Sequence, residues 1–271
     1  MIDYFRNKIR AYWKKSGDYK KESAVSALPL YQSRLALNQT SVLDIGCGNG
    51  DYSIELAKAS ASVIALELSR ERVETVKKKS AEQLAQVKLV LADAQKTPFK
   101  DSVFDLILCR NVIEHVHNPE KLTMEMARIL KPGGAIQLTA PNRYSISQLV
   151  RDEHYRLPLV AILPQRMAGF IVCKLLKLED QYSVSTIPSF KLLRQWMKKS
   201  GLIFRMDLPD AEMIREKWML PEKVNNQFIR PLVTAVKLLG ISRIVSDIAS
   251  SEGFLGAFAA RWSLWIMKSK T

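Results

Sequence analysis

Cysteine is scarce in this sequence. The three cysteines of the 271-residue chain follow no regular spacing, which argues against both a disulfide framework and a zinc site. Cys47 and Cys109 fall inside predicted turn and strand positions. We therefore expect them to be packing residues in a reducing compartment.

Long apolar runs are also missing. The first residues contain no uninterrupted apolar segment of signal-peptide length. No later stretch reaches the ~18–20 apolar residues that a membrane-spanning helix needs. The longest candidate, residues 157–178, is interrupted by Pro164, Lys174 and Lys177. These absences predict a cytoplasmic protein that does not span a membrane.

The composition is that of a folded globular protein, with 47% hydrophobic and 25% charged residues. Its net charge of +14 indicates an anionic partner, either nucleic acid or an acidic membrane surface. A solvated lysine-rich face is the alternative. Residues 2–15 place aromatic and aliphatic residues at helical spacing among lysines and arginines. Such a basic amphipathic helix either lies at a membrane interface or packs on the sheet.

A glycine-rich turn follows the first predicted strand, Val42–Ile45. Gly46, Gly48 and Gly50 stand at alternate positions around Cys47, and helix-forming residues begin at 52. Glycine lets a ligand lie directly on the backbone, and the following helix points free N–H groups at it. A strand, a glycine turn and a helix predict a nucleotide-type pocket at the carboxyl end of a parallel sheet.

Strands and helices alternate along the next hundred residues. This alternation predicts an α/β fold, a parallel sheet with helices on both faces. The later predicted strands are Ser62–Leu66, Val87–Ala92, Phe104–Cys109, Ala135–Ala140, Leu202–Leu208 and Phe258–Met267; the helices cover 51–58, 70–84, 119–131 and 190–199. The predicted domains are an N-terminal helical region (1–40), a binding core (41–141), a lid insertion (142–187) and a C-terminal part (188–271) with a helical insertion at 209–255.

Six stretches resemble, in order, the motifs of class I S-adenosylmethionine-dependent methyltransferases of the type 11 kind. An acid two residues before the first glycine distinguishes the turn from the NAD fingerprint. The matching stretches are 41–50, 65–69, 91–99, 104–107, 112–116 and 130–134. The resemblance implies a Rossmann-like seven-stranded sheet with its last strand antiparallel, and S-adenosylmethionine as cofactor.

The resemblance also implies roles for cofactor-binding residues. Asp44 would hold the ammonium group of the cofactor, Glu67 the ribose hydroxyls, and Asp93 with the Ala94 N–H the adenine edge. The full predicted cofactor set is Asp44, Gly46, Cys47, Gly48, Gly50, Glu67, Leu68, Asp93, Ala94, Arg110 and Asn111.

Residues 110–115 resemble the Glu-x-x-Glu-His stretch of metal-assisted O-methyltransferases, in which both glutamates and the histidine are ligands. Here Asn111 stands where the first glutamate would be, which removes a charged ligand from a hard-cation site. We therefore predict no metal, and expect His115 to act as general base or as a hydrogen-bonding residue near the sulfonium. A purely structural role for His115 is the alternative.

The predicted lid begins where the methyl acceptor must sit. Its Asn142-Arg143 turn, loop His154 and Leu157-Pro158 segment resemble a bacterial methyltransferase subgroup associated with glycan and lipid modification. Arg143 and Tyr144 are therefore predicted substrate residues, and His154 a second candidate base. A surface-loop histidine is the alternative for His154.

The sequence thus predicts a methyltransferase that favours O-methylation of a small or amphiphilic acceptor, such as a lipid-linked glycan or a prenylated phenol. Motifs of base-amino and cytosine C5 methylation are missing after the fourth strand. The alternatives are an RNA methyltransferase, although we recognise no RNA-binding module, and a non-catalytic S-adenosylmethionine-binding protein. We expect peripheral association with an anionic membrane surface and disfavour a nucleic-acid partner.

Overall fold

The computed structural model of the chain describes residues 21–150, 152–206 and 261–269. Within these ranges seven strands form a single sheet. The predicted basic helix over 2–15 and the predicted helical insertion at 209–255 lie outside the described residues.

Helices and strands alternate as far as the end of the fifth strand, except that the third strand is followed directly by the fourth. The elements are α1 (residues 21–34), β1 (Ser41–Ile45), α2 (Asp51–Lys58), β2 (Ser62–Glu67), α3 (Arg70–Glu82), β3 (Val87–Leu91), β4 (Phe104–Arg110), α4 (Pro119–Ile129), β5 (Leu130–Pro141), α5 (Ile146–Val150), α6 (Gln165–Gly169), a π-helical turn (Phe170–Leu175), α7 (Phe190–Lys199), β6 (Leu202–Met206) and β7 (Arg261–Lys268).

The strand order is β3-β2-β1-β4-β5-β7-β6. Strand β1 pairs in parallel with both β2 and β4, whereas β7 is antiparallel to its neighbours β5 and β6. The Rossmann-like sheet with an antiparallel last strand is therefore confirmed. The chain order reverses between β1 and β4, and ligands bind at the carboxyl ends of the strands at such a point.

Strand β1 is buried on both faces because helices cover the sheet from two sides. Val42 packs into an apolar cluster with Tyr31 of α1 and Leu56 of α2. Leu43, next along the strand, packs on the opposite face with residues of α4 and α7. Successive side chains of a strand point to opposite faces, so a continuous apolar run suits this central position.

The boundary between α4 and β5 differs from the predicted one. Helix α4 begins as predicted, since Asn118 Oδ1 accepts from the Lys121 N–H at 3.0 Å and Pro119 takes the first helical position. The strand, however, begins at Leu130 rather than Ala135. Leu130 pairs with Phe104 and Ala135 pairs with Leu106, so residues 131–134 bulge out of the ladder, where Pro132 has no N–H to donate.

The lid, residues 142–187, forms an apolar cluster of its own above the carboxyl edge of the sheet. Tyr155, Val160, Ala168, Val172 and Val184 are among its buried members. Among the residues that the structure describes, none of the helices is both long and apolar enough to span a bilayer.

Candidate active site

The glycine turn after β1 is held against the end of β2. The N–H groups of Gly46 and Cys47 donate to the Leu66 carbonyl at 2.8 and 3.2 Å. Gly46 adopts φ +61°, and a Cβ there would lie 2.6 Å from Cγ2 of Val112. Only glycine combines this backbone angle with so close a neighbour. Gly50 ends the turn and directly precedes α2.

Gly48 lies at the open side of the turn. It adopts φ +58°, and a Cβ at this position would meet no described atom within 4 Å. The backbone at Gly48 is therefore open, near the amino end of α2, whose free N–H groups can face a ligand. Cys47, beside it, is half-buried, and burial raises the pKa of its thiol.

Asp44 is the penultimate residue of β1, just before the turn, and is almost fully buried. The Ser53 hydroxyl of α2 donates to Asp44 Oδ2 at 2.5 Å. Burial raises the pKa of Asp44 to about 6, although the Ser53 hydrogen bond and the charge of Arg110 oppose that rise. A buried carboxylate of this kind is stabilised by a cation placed beside it.

Glu67 ends β2 and is fixed by backbone N–H groups. Its Oε2 accepts from Gly48 at 3.0 Å, and its Oε1 accepts from Leu68 and Ser69 at 2.9 and 3.1 Å. These three bonds hold the buried carboxylate against the glycine turn with lone pairs to spare for hydroxyl donors. Leu68, the next residue, is 70% exposed and offers an apolar surface beside it.

Asp93 and Ala94 follow β3 at the same edge of the sheet. The Asp93 carboxylate accepts from Gln95, from its backbone N–H at 2.9 Å and from its side chain at 3.1 Å. Gln95 Oε1 in turn accepts from the Asn118 N–H at 2.8 Å. Asp93 thus stands at the predicted adenine position with Gln95 as its present partner.

Arg110 and Asn111 end β4 opposite the turn. The Arg110 guanidinium lies 4.0 Å over the Tyr52 ring and donates to Gln137 Oε1 at 2.9 Å. Asn111 has φ +54°, and its Oδ1 accepts from the Thr139 hydroxyl at 3.3 Å. The Asn111 amide therefore points towards β5.

Three side chains form a compact group just beyond β4, and we call it the Glu-His-His cluster: Glu114, His115 and His154. One ligand-type atom of each lies within 4.8 Å of those of the other two. The two imidazole rings meet edge to face, with centroids 5.1 Å apart. Glu114 and His154 are buried, whereas His115 is exposed. The two histidines predicted as alternative bases therefore lie next to each other in this cluster.

The end of the lid holds the cluster together. Ser185 and Thr186 donate their N–H groups to the Glu114 carbonyl at 2.8 and 3.2 Å. His115 Nδ1 lies 2.9 Å from the Ser183 carbonyl oxygen. A carbonyl can only accept, so this bond places the proton on Nδ1 and leaves the lone pair of a neutral imidazole on Nε2.

His154 is positioned by the buried Asp152. The Asp152 carboxylate accepts backbone N–H groups of His154, Tyr155 and Leu157, each at 2.8 Å. His154 Nδ1 lies 4.0 Å from Asp152 Oδ2. Burial raises the pKa of Asp152, while these three hydrogen bonds oppose the rise. The loop is thus built around one carboxylate and is fixed before any acceptor arrives.

Arg143 and Tyr144, the predicted substrate residues, lie at the root of the lid. Arg143 Nη2 donates to the Ile162 carbonyl at 2.8 Å, and its backbone N–H donates to Pro188. Tyr144 is half exposed. Arg143 therefore has a clear part in holding the lid, and its contact with an acceptor stays a prediction.

Several neighbours of the predicted residues were missed from the sequence. Ser53, Gln95, Asp152 and Ser183 each bond a predicted residue, and none of the four was assigned a role from the sequence. Only Glu114 had a visible signal, because it belongs to the Glu-His pair in the matched stretch.

The residues present fit S-adenosylmethionine. The open backbone at Gly48 leaves room for the cofactor above the turn. Acidic side chains, Asp44, Glu67 and Asp93, stand at the carboxyl ends of three successive strands. They match an ammonium group, a ribose diol and an adenine amine, each of which donates hydrogen bonds to acceptors.

Comparison with known proteins supports this assignment. A family model described as a methyltransferase domain matches residues 43–138. The chain is 28% identical over 223 residues to a ubiquinone biosynthesis O-methyltransferase of Xanthomonas oryzae pv. oryzae, covering 76% of this chain and 90% of that one.

Solved structures show the same fold at low identity. An S-adenosylmethionine-dependent methyltransferase from Thermotoga maritima is 16% identical and superimposes with TM-score 0.53, covering 99% of this chain and all of that one. The [4+2]-cyclase SpnF is 14% identical with TM-score 0.54, covering 96% of this chain and 83% of that one. Since one neighbour is a cyclase, the fold alone does not define the reaction.

Proposed function

We propose that the chain, in which residues 43–138 match a methyltransferase domain, is a class I S-adenosylmethionine-dependent methyltransferase that methylates a hydroxyl oxygen of a small or amphiphilic acceptor. The observation that carries the proposal is the Glu-His-His cluster beside the cofactor turn. The name of the Xanthomonas relative, an O-methyltransferase, favours oxygen over nitrogen.

The cluster supports O-methylation because a hydroxyl must lose its proton as its oxygen takes the methyl group. Val112 packs against Gly46 of the turn, and Glu114 and His115 follow two and three residues later. The hydrogen bond from His115 Nδ1–H to the Ser183 carbonyl places the lone pair of the neutral ring on Nε2. An acceptor oxygen between turn and cluster would have a proton-accepting group within reach.

The protein's part in the reaction is positioning and proton removal. When bound, the cofactor would supply an electrophilic methyl group on a sulfonium sulfur, and its transfer to the acceptor oxygen would release S-adenosylhomocysteine. Asp44 would hold the amino-acid portion of the cofactor, and Glu67 would hold its ribose. The lid would exclude water from above, and the hydroxyl proton would leave through the cluster.

The acceptor we favour is amphiphilic, such as a lipid-linked glycan or a prenylated phenol. The lid carries an exposed apolar surface, which we call the lid patch: Met167, Phe170 and Leu175, exposed by 53%, 62% and 60%. The exposed cations Arg166, Lys174 and Lys177 flank it. Apolar side chains bordered by cations suit an anionic membrane surface, so we propose a protein of the cytoplasm that docks peripherally on a membrane.

Methyl transfer can be measured directly with tritiated S-adenosylmethionine. Total lipid, small-molecule and RNA fractions are each offered to the purified protein, and label is expected in the lipid or small-molecule fraction. Label in RNA alone would favour an RNA methyltransferase. Cofactor binding without label in any fraction would favour a non-catalytic binding protein.

The histidines can be tested in the same assay. His115→Ala and His154→Ala are each expected to lower turnover by ~10²–10⁴-fold, the range for losing a group that moves a proton. Cofactor affinity should be nearly unchanged. His117→Ala is the matched control, since His117 is exposed two residues away. Near-wild-type turnover in both cluster variants would exclude the two histidines as catalytic residues.

A further inference from the structure

We propose that Glu114, His115 and His154 bind one divalent ion of the first transition series, such as Zn²⁺ or Mn²⁺, in preference to Mg²⁺. Two imidazoles and one carboxylate suit such ions, whereas Mg²⁺ prefers an all-oxygen shell. Three protein ligands leave an open position, as in catalytic zinc sites. The proposal goes beyond the proposed function, because ion binding requires neither cofactor nor acceptor.

The distances allow such a site after a small adjustment. The three ligand-type atoms lie within 4.8 Å of one another. Around one ion, with bonds of about 2.0–2.2 Å, they would be roughly 3–3.5 Å apart. The side chains must therefore close by about 1 Å. His115 is exposed, so its ring can make most of that movement without disturbing the core.

The hydrogen bond from His115 to the lid is a second, independent observation. Histidines that bind metals usually donate their other ring N–H to a carbonyl or carboxylate, which fixes the tautomer and ring orientation. His115 does this through Nδ1, 2.9 Å from the Ser183 carbonyl oxygen. The ion would bind through Nε2 of His115. The Asp152 carboxylate, 4.0 Å from His154 Nδ1, stands in a similar place for the other histidine.

The third proposed ligand comes from the lid, so the structure offers three ligands where the sequence motif alone offered two. Asn111 stands where a glutamate would complete a local ligand set, and its amide is bonded towards Thr139. His154, whose backbone N–H donates to the Asp152 carboxylate, would be the third ligand instead. An ion there would link the lid to the end of β4 and would lower the pKa of an acceptor hydroxyl bound at its open position.

Calorimetric titration of untagged, chelator-treated protein tests the site without any methyl transfer. Zn²⁺, Mn²⁺ and Mg²⁺ are titrated separately near pH 7. We expect one equivalent of Zn²⁺ or Mn²⁺ to bind more tightly than Mg²⁺. Glu114→Gln, His115→Ala and His154→Ala should each weaken binding at least about tenfold, the lower end for losing even an outer-shell partner. His117→Ala should bind like wild type.

Two results would overturn the proposal: no ion binding above that of the cluster variants, or equal loss in His117→Ala. The exposed His115 makes His115→Ala the variant whose fold is safest, and unchanged S-adenosylhomocysteine binding checks it. Failure to bind an ion leaves the histidines as direct proton acceptors. Ion binding without methyl transfer would instead reject the proposed function alone.

Discussion

Glu67 makes three hydrogen bonds to backbone N–H groups, and this explains why a single carboxylate can define the ribose position. Gly48, Leu68 and Ser69 are its donors. Glu67→Ala should weaken S-adenosylhomocysteine binding by about 1–3 kcal/mol, because the ribose hydroxyls would lose a charged acceptor. Calorimetry measures this, with exposed Glu71→Ala as control. Equal affinity in wild type and Glu67→Ala would show that the ribose binds elsewhere.

We expect Asp44 to make cofactor affinity depend on pH. Burial raises its pKa to about 6, so the carboxylate that would receive the ammonium is increasingly protonated below that pH. We expect S-adenosylhomocysteine affinity to fall between pH 7 and 5, approaching about tenfold per unit. The ligand's α-amino group, with a pKa near ~8, stays charged throughout. Asp44→Asn should bind S-adenosylhomocysteine more weakly, with an affinity that does not change over this pH window. If the affinity of the wild type is equally independent of pH, Asp44 does not hold the ammonium group.

The same raised pKa predicts an opposite effect on the stability of the cofactor-free protein. Because the folded pKa lies above the ordinary value of 3.8, the contribution of Asp44 is fully present below pH 3.8. It is lost as pH rises through about 6. Asp44→Asn should therefore raise the Tm of the cofactor-free protein at pH 7–8, and the gain should shrink on acidification. A lower Tm of Asp44→Asn at pH 7–8 would contradict the assigned burial cost.

At the residue scale, the sequence nominated three acidic residues for the cofactor but not the groups that hold its candidate site residues in place. Asp44 lies one residue before the end of β1, Glu67 ends β2 and Asp93 follows β3, and these positions are visible in the pattern of apolar residues. The partner of Asp93 is Gln95, and the partner of His115 is the Ser183 carbonyl. The contact of His115 depends on the path of the lid, which no local sequence pattern describes.

The lid is the element that combines the catalytic and surface proposals. Its end is bonded to Glu114, and its helical part carries the lid patch. Phe170→Ser should reduce sedimentation with anionic vesicles, because it removes the largest exposed apolar side chain of that patch. Met124→Ser on α4 is the matched control, since Met124 is similarly exposed at 55%.

The vesicle experiment distinguishes docking from a general loss of structure. Phe170→Ser should keep its affinity for S-adenosylhomocysteine, because Phe170 is exposed by 62% and lies outside the cofactor turn. If Phe170→Ser and Met124→Ser sediment alike, the lid patch is not the docking surface.

Elements with a clear period were predicted well, and the lid was not. The strands β1 to β4 and helices α2, α4 and α7 were predicted within a few residues, because caps such as Asn118 and Ser189 bond as expected. The predicted start of β5, at Ala135, was wrong. The strand begins at Leu130 and continues beyond Pro132 after a bulge. The π-helical turn Phe170–Leu175 has an apolar composition with no single period, so no pattern defined it.

For the whole molecule, the net charge of +14 is the feature that folding alone does not require. Long-range attraction to an anionic surface would use this charge, and it would be screened by salt. Wild-type protein should bind acidic vesicles more than neutral ones, and less at high ionic strength. Removing residues 1–15 takes away five basic side chains, so it should reduce this binding while leaving cofactor affinity intact.

Residues 1–15 contain five basic side chains, Arg6, Lys8, Arg10, Lys14 and Lys15, and one acidic residue, Asp3. Their removal therefore lowers the net charge from +14 to +10. Because most of the charge remains, the shortened protein should keep some salt-sensitive binding to acidic vesicles, at roughly 1 kcal/mol lost per basic residue near the surface. Sedimentation over a salt series measures this, with S-adenosylhomocysteine binding as the control for folding. Equal recovery with neutral and acidic vesicles would reject the electrostatic role, and stronger competition by RNA than by acidic lipid would point to nucleic acid as the anionic partner.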